Sequence, residues 1–262
     1  MSKLKVWFIT GASRGLGKTW AQAALDRGDS VVAAVRDLES VADLKAKHGE
    51  RVLPVKLDVT NAAEAANAVQ SALDHFGRID VLINNAGYCL AGALEEVDEA
   101  DARKLFDTNL LGALWTTRAV LPAMRARKAG HVIAVSSVSG LLGQPTIGLY
   151  NSSKWALEGM MESLALEVSH LGIKVSILEP VMYATDFSSA IRFSTPIEAY
   201  EEARSKLYGS LGSEVPGDPS STVADVLALV DNREPPLRCL LGDSAWRWVV
   251  RAYGERLARW AR

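Results

Sequence analysis

Cysteine is almost missing: Cys89 and Cys239 are the only two in the chain. Two cannot build a disulfide framework, and these lack metal-site spacing, so a reducing, cytoplasmic setting is expected. Histidine is scarce as well. His48, His75, His131 and His170 are scattered, which gives no support to a metal centre or a Ser-His-Asp triad. No apolar run approaches the roughly 20 residues that span a bilayer. The opening "KVWFIT" is too brief for a secretory leader, so none is expected. A formal net charge of −2 offers no electrostatic reason to bind nucleic acid or an acidic membrane. Internal repeats, low-complexity tracts and a dividing linker are also absent, so a single domain over residues 1–262 is expected.

What is present is ordinary for a globular protein: 48% hydrophobic and 23% charged residues. Short β-branched runs alternate with longer helical patterns. Strands are predicted at Lys5–Thr10, Ser30–Arg36, Val52–Lys56, Val81–Asn84, His131–Ser136, Lys174–Glu179 and Arg238–Leu241. Helices are predicted near Gly15–Arg27, Leu38–Lys47, Ala62–Phe76, Ala100–Lys128 and Tyr150–His170. This alternation implies an α/β fold, a Rossmann-type doubly wound parallel sheet of about seven strands with helices on both faces. Residues 182–219, rich in proline and glycine, follow a strand's carboxyl end and suit a substrate lid; a connector without a gating role is the alternative. Residues 244–262 read as an amphipathic helix with Trp246, Val249, Val250, Tyr253, Leu257 and Trp260 near one face, expected to pack on the core or a partner subunit.

The first strand runs into "TGASRGLG", Thr10 to Gly17. Gly11, Gly15 and Gly17 permit a tight turn and close backbone approach to a pyrophosphate, whose charge a helix N-terminus favours. Ser13, Arg14 and Leu16 fill the same turn. The spacing is not GxGxxG, and alone it would equally suit a plain strand–helix turn. Arg36 ends the second strand where a carboxylate would bind a ribose hydroxyl and an arginine a 2′-phosphate. With Arg14 it favours NADP(H). Asp37, one residue on, keeps NAD(H) open.

"LDVT" (57–60), "NNAG" (84–87), "DTNLLG" (107–112), "SSVSG" (136–140) and "YNSSK" (150–154) follow in order. With the glycine turn, this resembles the short-chain dehydrogenase/reductase family from Lys5 to about Asp186, in particular its carbonyl reductase, hydroxysteroid and retinol dehydrogenase branches. The resemblance implies a catalytic tetrad of Asn109, Ser137, Tyr150 and Lys154. It places Asp58 and Val59 at the adenine, Asn85, Ala86 and Gly87 along the ribose, and Pro180 and Thr185 beside the nicotinamide. It also implies association through the two long helices, giving a homodimer or homotetramer.

The chemistry is sound on the residues alone. Reducing a ketone builds negative charge on oxygen, so an acid must stand beside it. A phenol near pKa 10 is too weak unless an ammonium favours phenolate, and residues four apart on a helix share a face. Tyr150 would therefore be the general acid/base and Ser137 would hold the substrate oxygen. Cys89, Leu90, Ser139, Gln144, Ile147, Val181, Met182 and Tyr183 are expected around the substrate. They are mostly apolar and lack a lysine or arginine, which favours a small-molecule substrate that is a bulky hydrophobic ketone or its secondary alcohol. The other reading is a dinucleotide-sensing protein without turnover.

"LEPVMYATDF" (178–187) departs from the family pattern. Related chains carry glycine after this proline, whereas here Val181 and Met182 follow. A β-branched valine avoids positive φ, so the turn must be reshaped or already sit at negative φ. A remodelled substrate wall is the preferred expectation, with compensated drift and weakened cofactor binding as alternatives.

Overall fold

The computed structural model describes residues 4–212, 215–242 and 244–261. Positions 213 and 214 of the expected lid, and Arg262 of the tail, lie outside them.

The strands are β1 Val6–Thr10, β2 Ser30–Val35, β3 Val52–Lys56, β4 Val81–Asn84, β5 Leu90–Ala91, β6 Gly130–Val135, β7 Ile173–Pro180, β8 Arg192–Phe193 and β9 Arg238–Leu241. Seven form one parallel sheet in the order β3-β2-β1-β4-β6-β7-β9. The α-helices are α1 Gly15–Asp26, α2 Ala42–His48, α3 Ala62–Phe76, α4 Glu99–Phe106, α5 Gly112–Arg127, α6 Gly148–Val168, α7 Glu201–Gly212, α8 Val223–Asp231 and α9 Ala245–Trp260.

β1, "VWFIT", is buried on both faces, as a central parallel strand covered by helices must be. Its side chains alternate between two cores. Phe8 joins the layer with α3, α5 and α6, whereas Trp7 and Ile9 join the layer with α1 and α8. The strand order reverses between β1 and β4, opening a crevice at their carboxyl ends. The glycine turn and "NNAG" both emerge there.

Three predicted helices differ in detail. The span 100–128 is broken by a π-turn at Asp107–Leu111, which carries Asn109. Single π-turns inside helices recur at functional sites. Just beyond it, Gly112 lies so close to Val59 that a Cβ would stand 2.7 Å from its Cγ2. The span 38–47 begins as a 3₁₀ turn, Leu38–Val41, capped by Asp37, whose carboxylate accepts the Glu39 N–H. α6 starts two residues before Tyr150 and gives way to a 3₁₀ turn at Ser169.

The described residues of the span 182–219 are folded back on the body. β8 pairs with β5, and Tyr183 bridges Gly217 where the excursion begins and returns. Glu96 accepts the Ile197 N–H at 2.7 Å and an Arg204 guanidinium N–H at 2.6 Å.

α9 packs less than expected. Ala245, Trp248, Val249 and Ala252 meet Val138, Leu141, Leu142 and Val181. Trp246, Val250, Tyr253, Leu257 and Trp260 are exposed, because the packed stripe is centred to one side of them on the helix. Among the described residues, no helix is long and apolar enough to cross a membrane.

Candidate active site

A cavity of about 1230 Å³ runs from the glycine turn to residues 182–217. Its nucleotide end is shaped by backbone. Gly11 and Gly15 take φ +67° and +55°, the left-handed region that only glycine enters without strain. α1 begins with no side-chain cap, so its first N–H groups are left for a ligand in the cavity. That uncapped, glycine-lined cradle fits a dinucleotide's pyrophosphate.

Asn85 ties this turn to β4. Its Nδ2 donates to the Thr10 and Gly11 carbonyls at 3.0 and 3.1 Å, while Thr10 Oγ1 accepts the Asn85 and Ala86 N–H groups. A side chain at Gly17 would collide with Asn85. Gly17 therefore serves close packing, and it does not border the cavity, unlike Gly11, Ser13, Arg14, Gly15 and Leu16. Arg36, Asp58, Val59, Asn85, Ala86, Gly87, Pro180 and Thr185 border it too. Arg14 and Arg36 are exposed, while Asp37 is occupied as a helix cap.

At the other end, α6 brings Tyr150 and Lys154 against the carboxyl end of β6. Both are buried, at 7% and 5% exposure. Ser137 Oγ accepts the Ser139 N–H at 3.1 Å, donates to the Pro180 carbonyl at 3.4 Å and lies beside the Tyr150 phenol. Lys154 Nζ donates to the Val135 carbonyl at 2.8 Å and stands 5.9 Å from the Tyr150 ring centre. Burial dominates both titrations. It pushes the phenol above its usual value, helped by Cys89 and opposed by the Ser137 hydroxyl. It pulls the ammonium down to about 8, opposed first by Glu158. The expected lowering of the phenol by lysine is thus outweighed, because Nζ is turned to a carbonyl and desolvation is the larger effect.

Asn109 lies behind the cavity wall. Its amide clamps Tyr88 and Ser153, and a Cβ on Gly87 would stand 3.1 Å from its Oδ1 and 3.6 Å from Lys154 Nζ. Cys89, Ser139, Gln144, Ile147, Val181, Met182 and Tyr183 border the cavity; Leu90, 1% exposed, faces the interior instead. Alternation places it there: β5 turns Cys89 and Ala91 to the cavity and Leu90 away. Cys89, Ile147, Tyr150 and Leu207 form one apolar cluster, and burial lifts the Cys89 thiol to about 12.

Val181 takes no positive φ; among the described residues only Lys128 and Thr146 do so without being glycine. β7 runs through Pro180 and the Val181 N–H continues the ladder to Leu241. The Val181 side chain packs toward α9 and against Gly242, where a side chain would collide with it. Met182 is 40% exposed and faces the open cavity.

Some groups escaped the sequence reading. Phe187 stands 6.3 Å from the Tyr150 ring, and Arg192 and Lys104 reach the cavity mouth, with Arg192 stacked over Tyr88 at 5.2 Å. The buried Glu158 and Glu179 meet the partly exposed Arg238 one turn beyond Lys154. The signal was available: Glu158 is one turn beyond Lys154, and Glu179 interrupts an apolar strand.

Comparison with known proteins places this arrangement. The short chain dehydrogenase family (adh_short) matches residues 5–194. An oxidoreductase of Botryotinia fuckeliana is 44% identical over 254 residues, covering 95% of this chain and 92% of that protein. Human retinol dehydrogenase 8 is 34% identical over 252 residues, covering 88% and 79%. A short-chain dehydrogenase structure from Streptomyces avermitilis superposes with a TM-score of 0.93 at 37% identity, over 99% of this chain and 95% of that one. Related structures from Burkholderia phymatum with NAD (TM-score 0.84, 27% identity, 98% and 95% coverage) and Burkholderia cenocepacia with NADP (0.80, 28%, 99% and 97%) share the fold. This chain belongs to the short-chain dehydrogenase family of oxidoreductases, which bind a nicotinamide dinucleotide and act on small molecules.

Proposed function

We propose that the protein interconverts a bulky hydrophobic ketone and its secondary alcohol with NADP(H), Tyr150 being the general acid/base. One observation carries this reading: the Ser137 and Tyr150 hydroxyls and the Lys154 ammonium meet at the inner end of a cavity whose wall is Cys89, Ile147 and Leu207. When bound, the nicotinamide supplies or accepts the hydride.

In the reducing direction, Ser137 Oγ holds the substrate oxygen and Tyr150 Oη gives it a proton as negative charge grows there. Lys154, charged at neutral pH because its ammonium titrates near 8, stabilises the phenolate left behind and reaches toward the ribose. Asn109 acts as a positioning residue, fixing the Tyr88 backbone and the Ser153 side chain of α6. Arg14 and Arg36 are free to pair with a 2′-phosphate, whereas Asp37 is committed to its own turn; this favours NADP(H) over NAD(H).

The apolar wall favours hydrophobic substrates, and retinol dehydrogenase 8 among the relatives supports the same class. Residues 182–219 act as a lid latched by Glu96 and Arg204. The chain forms one domain and associates through the exposed side of α6, where Trp155, Gly159 and Leu166 face outward. The test is a panel of aryl and long-chain ketones with NADPH, followed by chiral analysis of the alcohol. Cofactor oxidation with one enantiomer in excess is expected. No turnover across the panel, with NADPH bound, would favour a dinucleotide sensor.

A further inference from the structure

Two acidic side chains sit where the fold calls for apolar ones. Along β7, Ile173, Val175 and Ile177 face the core beneath α6. Period two puts Glu179 next on that face, where it is completely buried. On α6, Leu157, Met161 and Leu164 face the same core, and Glu158 lies beside them at 5% exposure, one turn after Lys154.

Among the described residues, the one cation bridging the two acids is Arg238, on the edge strand β9 in register with Ile177. Its Nε donates to Glu158 Oε2 at 3.1 Å and stands 3.6 Å from Glu179 Oε1; its Nη2 reaches Glu162 at 2.8 Å. Glu158 Oε1 and both Glu179 oxygens have no hydrogen-bond partner of ordinary geometry among the described residues. Two ionised carboxylates buried around one partly exposed guanidinium would both be desolvated and would repel each other. Like-charged acids sharing a site escape this by keeping one proton.

The remaining titratable groups facing the cluster are few. They are Lys154 and Glu162 from α6, Arg238 and Cys239 from β9, and Cys89 across the cavity floor.

We propose that Glu158 and Glu179 are positioning residues for Lys154, an acid pair holding one proton beneath Arg238 whose single negative charge keeps the lysine protonated during turnover. The assignment rests on the reading of Tyr150 and Lys154 given above. The titration directions agree with it. Glu158 is the leading influence opposing the loss of the Lys154 proton. Burial, then Glu158, raises the Glu179 carboxyl to about 8, so the proton resides on Glu179 at neutral pH.

The decisive experiment has two readouts on the full-length protein. The first is the pH profile of kcat/KM for NADPH-dependent ketone reduction. Glu158→Gln should bring its alkaline limb down by about one pH unit, the size expected for removing a nearby opposite charge. Glu158→Asp should restore the limb, and Glu162→Gln, at an exposed site, should leave it in place. A common loss factor at every pH in Glu158→Gln would make the residue merely structural and overturn the proposal.

The second readout needs no substrate. Because the folded Glu179 carboxyl is raised, its stabilising contribution is present below about pH 4.5 and lost as pH rises through about 8. Glu179→Gln lacks that loss, so its Tm relative to wild type should climb between about pH 4.5 and 8 and level off above. A pH-independent difference would overturn the shared proton even if Glu158→Gln failed to fold. Absence of turnover in wild type would count against the oxidoreductase reading alone, since the Tm comparison stands without it.

Discussion

Asn109 holds Tyr88 from both sides: its Oδ1 accepts the Tyr88 N–H at 3.1 Å and its Nδ2 donates to the Tyr88 carbonyl at 3.0 Å. The π-turn at 107–111 is what turns this side chain into the body of the protein. Asn109→Ala strands both Tyr88 groups away from water, at about 1–3 kcal/mol for an unsatisfied buried partner. A lower Tm is expected, together with a kcat reduced at least about tenfold as Gly87 and Lys154 lose their register. An unchanged kcat in a folded variant would remove Asn109 from the positioning role.

The proposed preference for NADP(H) rests on the exposed Arg14 and Arg36. Arg36→Ala should cut the ratio of kcat/KM for NADPH over NADH by about 10- to 100-fold, the loss of a charge-assisted pair with the 2′-phosphate. Adding Arg14→Ala should deepen it. Competitive fluorescence titration with the two reduced cofactors checks this without any substrate. An equal loss for both would show that Arg36 only attracts the dinucleotide.

Glu96 ties the proposed lid to the body through the Ile197 N–H and Arg204. The Ile197 N–H first, and then Arg204, hold its carboxyl down to about 2. Its folded pKa is depressed, so its contribution is present above about pH 4.5 and lost only as pH falls through about 2. The latch should therefore stay closed across the working range. Glu96→Gln should speed limited proteolysis within residues 182–219 and raise KM more than it lowers kcat. Cleavage at the wild-type rate would mean the lid is held elsewhere.

Val181 and Met182 divide the work once given to both. Val181→Gly should cost about 1–3 kcal/mol by opening the seam with Val138, Leu141 and Ala245. Met182→Gly, at a half-open position facing the cavity, should alter enantiomer ratio or substrate range while NADPH affinity holds. If affinity moved and selectivity did not, Met182 would be part of the cofactor site.

Much of this architecture was legible because it rests on periodicity and glycine. The strand alternation in "VWFIT" and the spacing in "TGASRGLG" report backbone constraints that any surrounding structure must honour. Tyr150 and Lys154 were legible as one helical face. Less visible was what tertiary contacts decide. The π-turn around Asn109 depends on Gly112 meeting Val59, far away in sequence. The turn of Val181 toward α9 depends on the missing side chain of Gly242. Nor could the phenol's direction be read, since lysine's charge was visible and the larger cost of burial was not. The tail shows the reverse case: its apolar residues were counted as one face, but the structure packs the neighbouring stripe.

The most direct measurement of the central claim compares Tyr150→Phe with wild type for NADPH-dependent reduction of a bulky ketone, with NADPH affinity determined alongside. The substitution removes one hydroxyl from a ring that also packs against Cys89 and Ile147, so the fold and the cofactor site are retained. General acid catalysis contributes about 10²–10⁴ in rate. A loss of that size at NADPH affinity within about threefold is the expected result. Turnover equal to wild type would contradict Tyr150 as the proton donor.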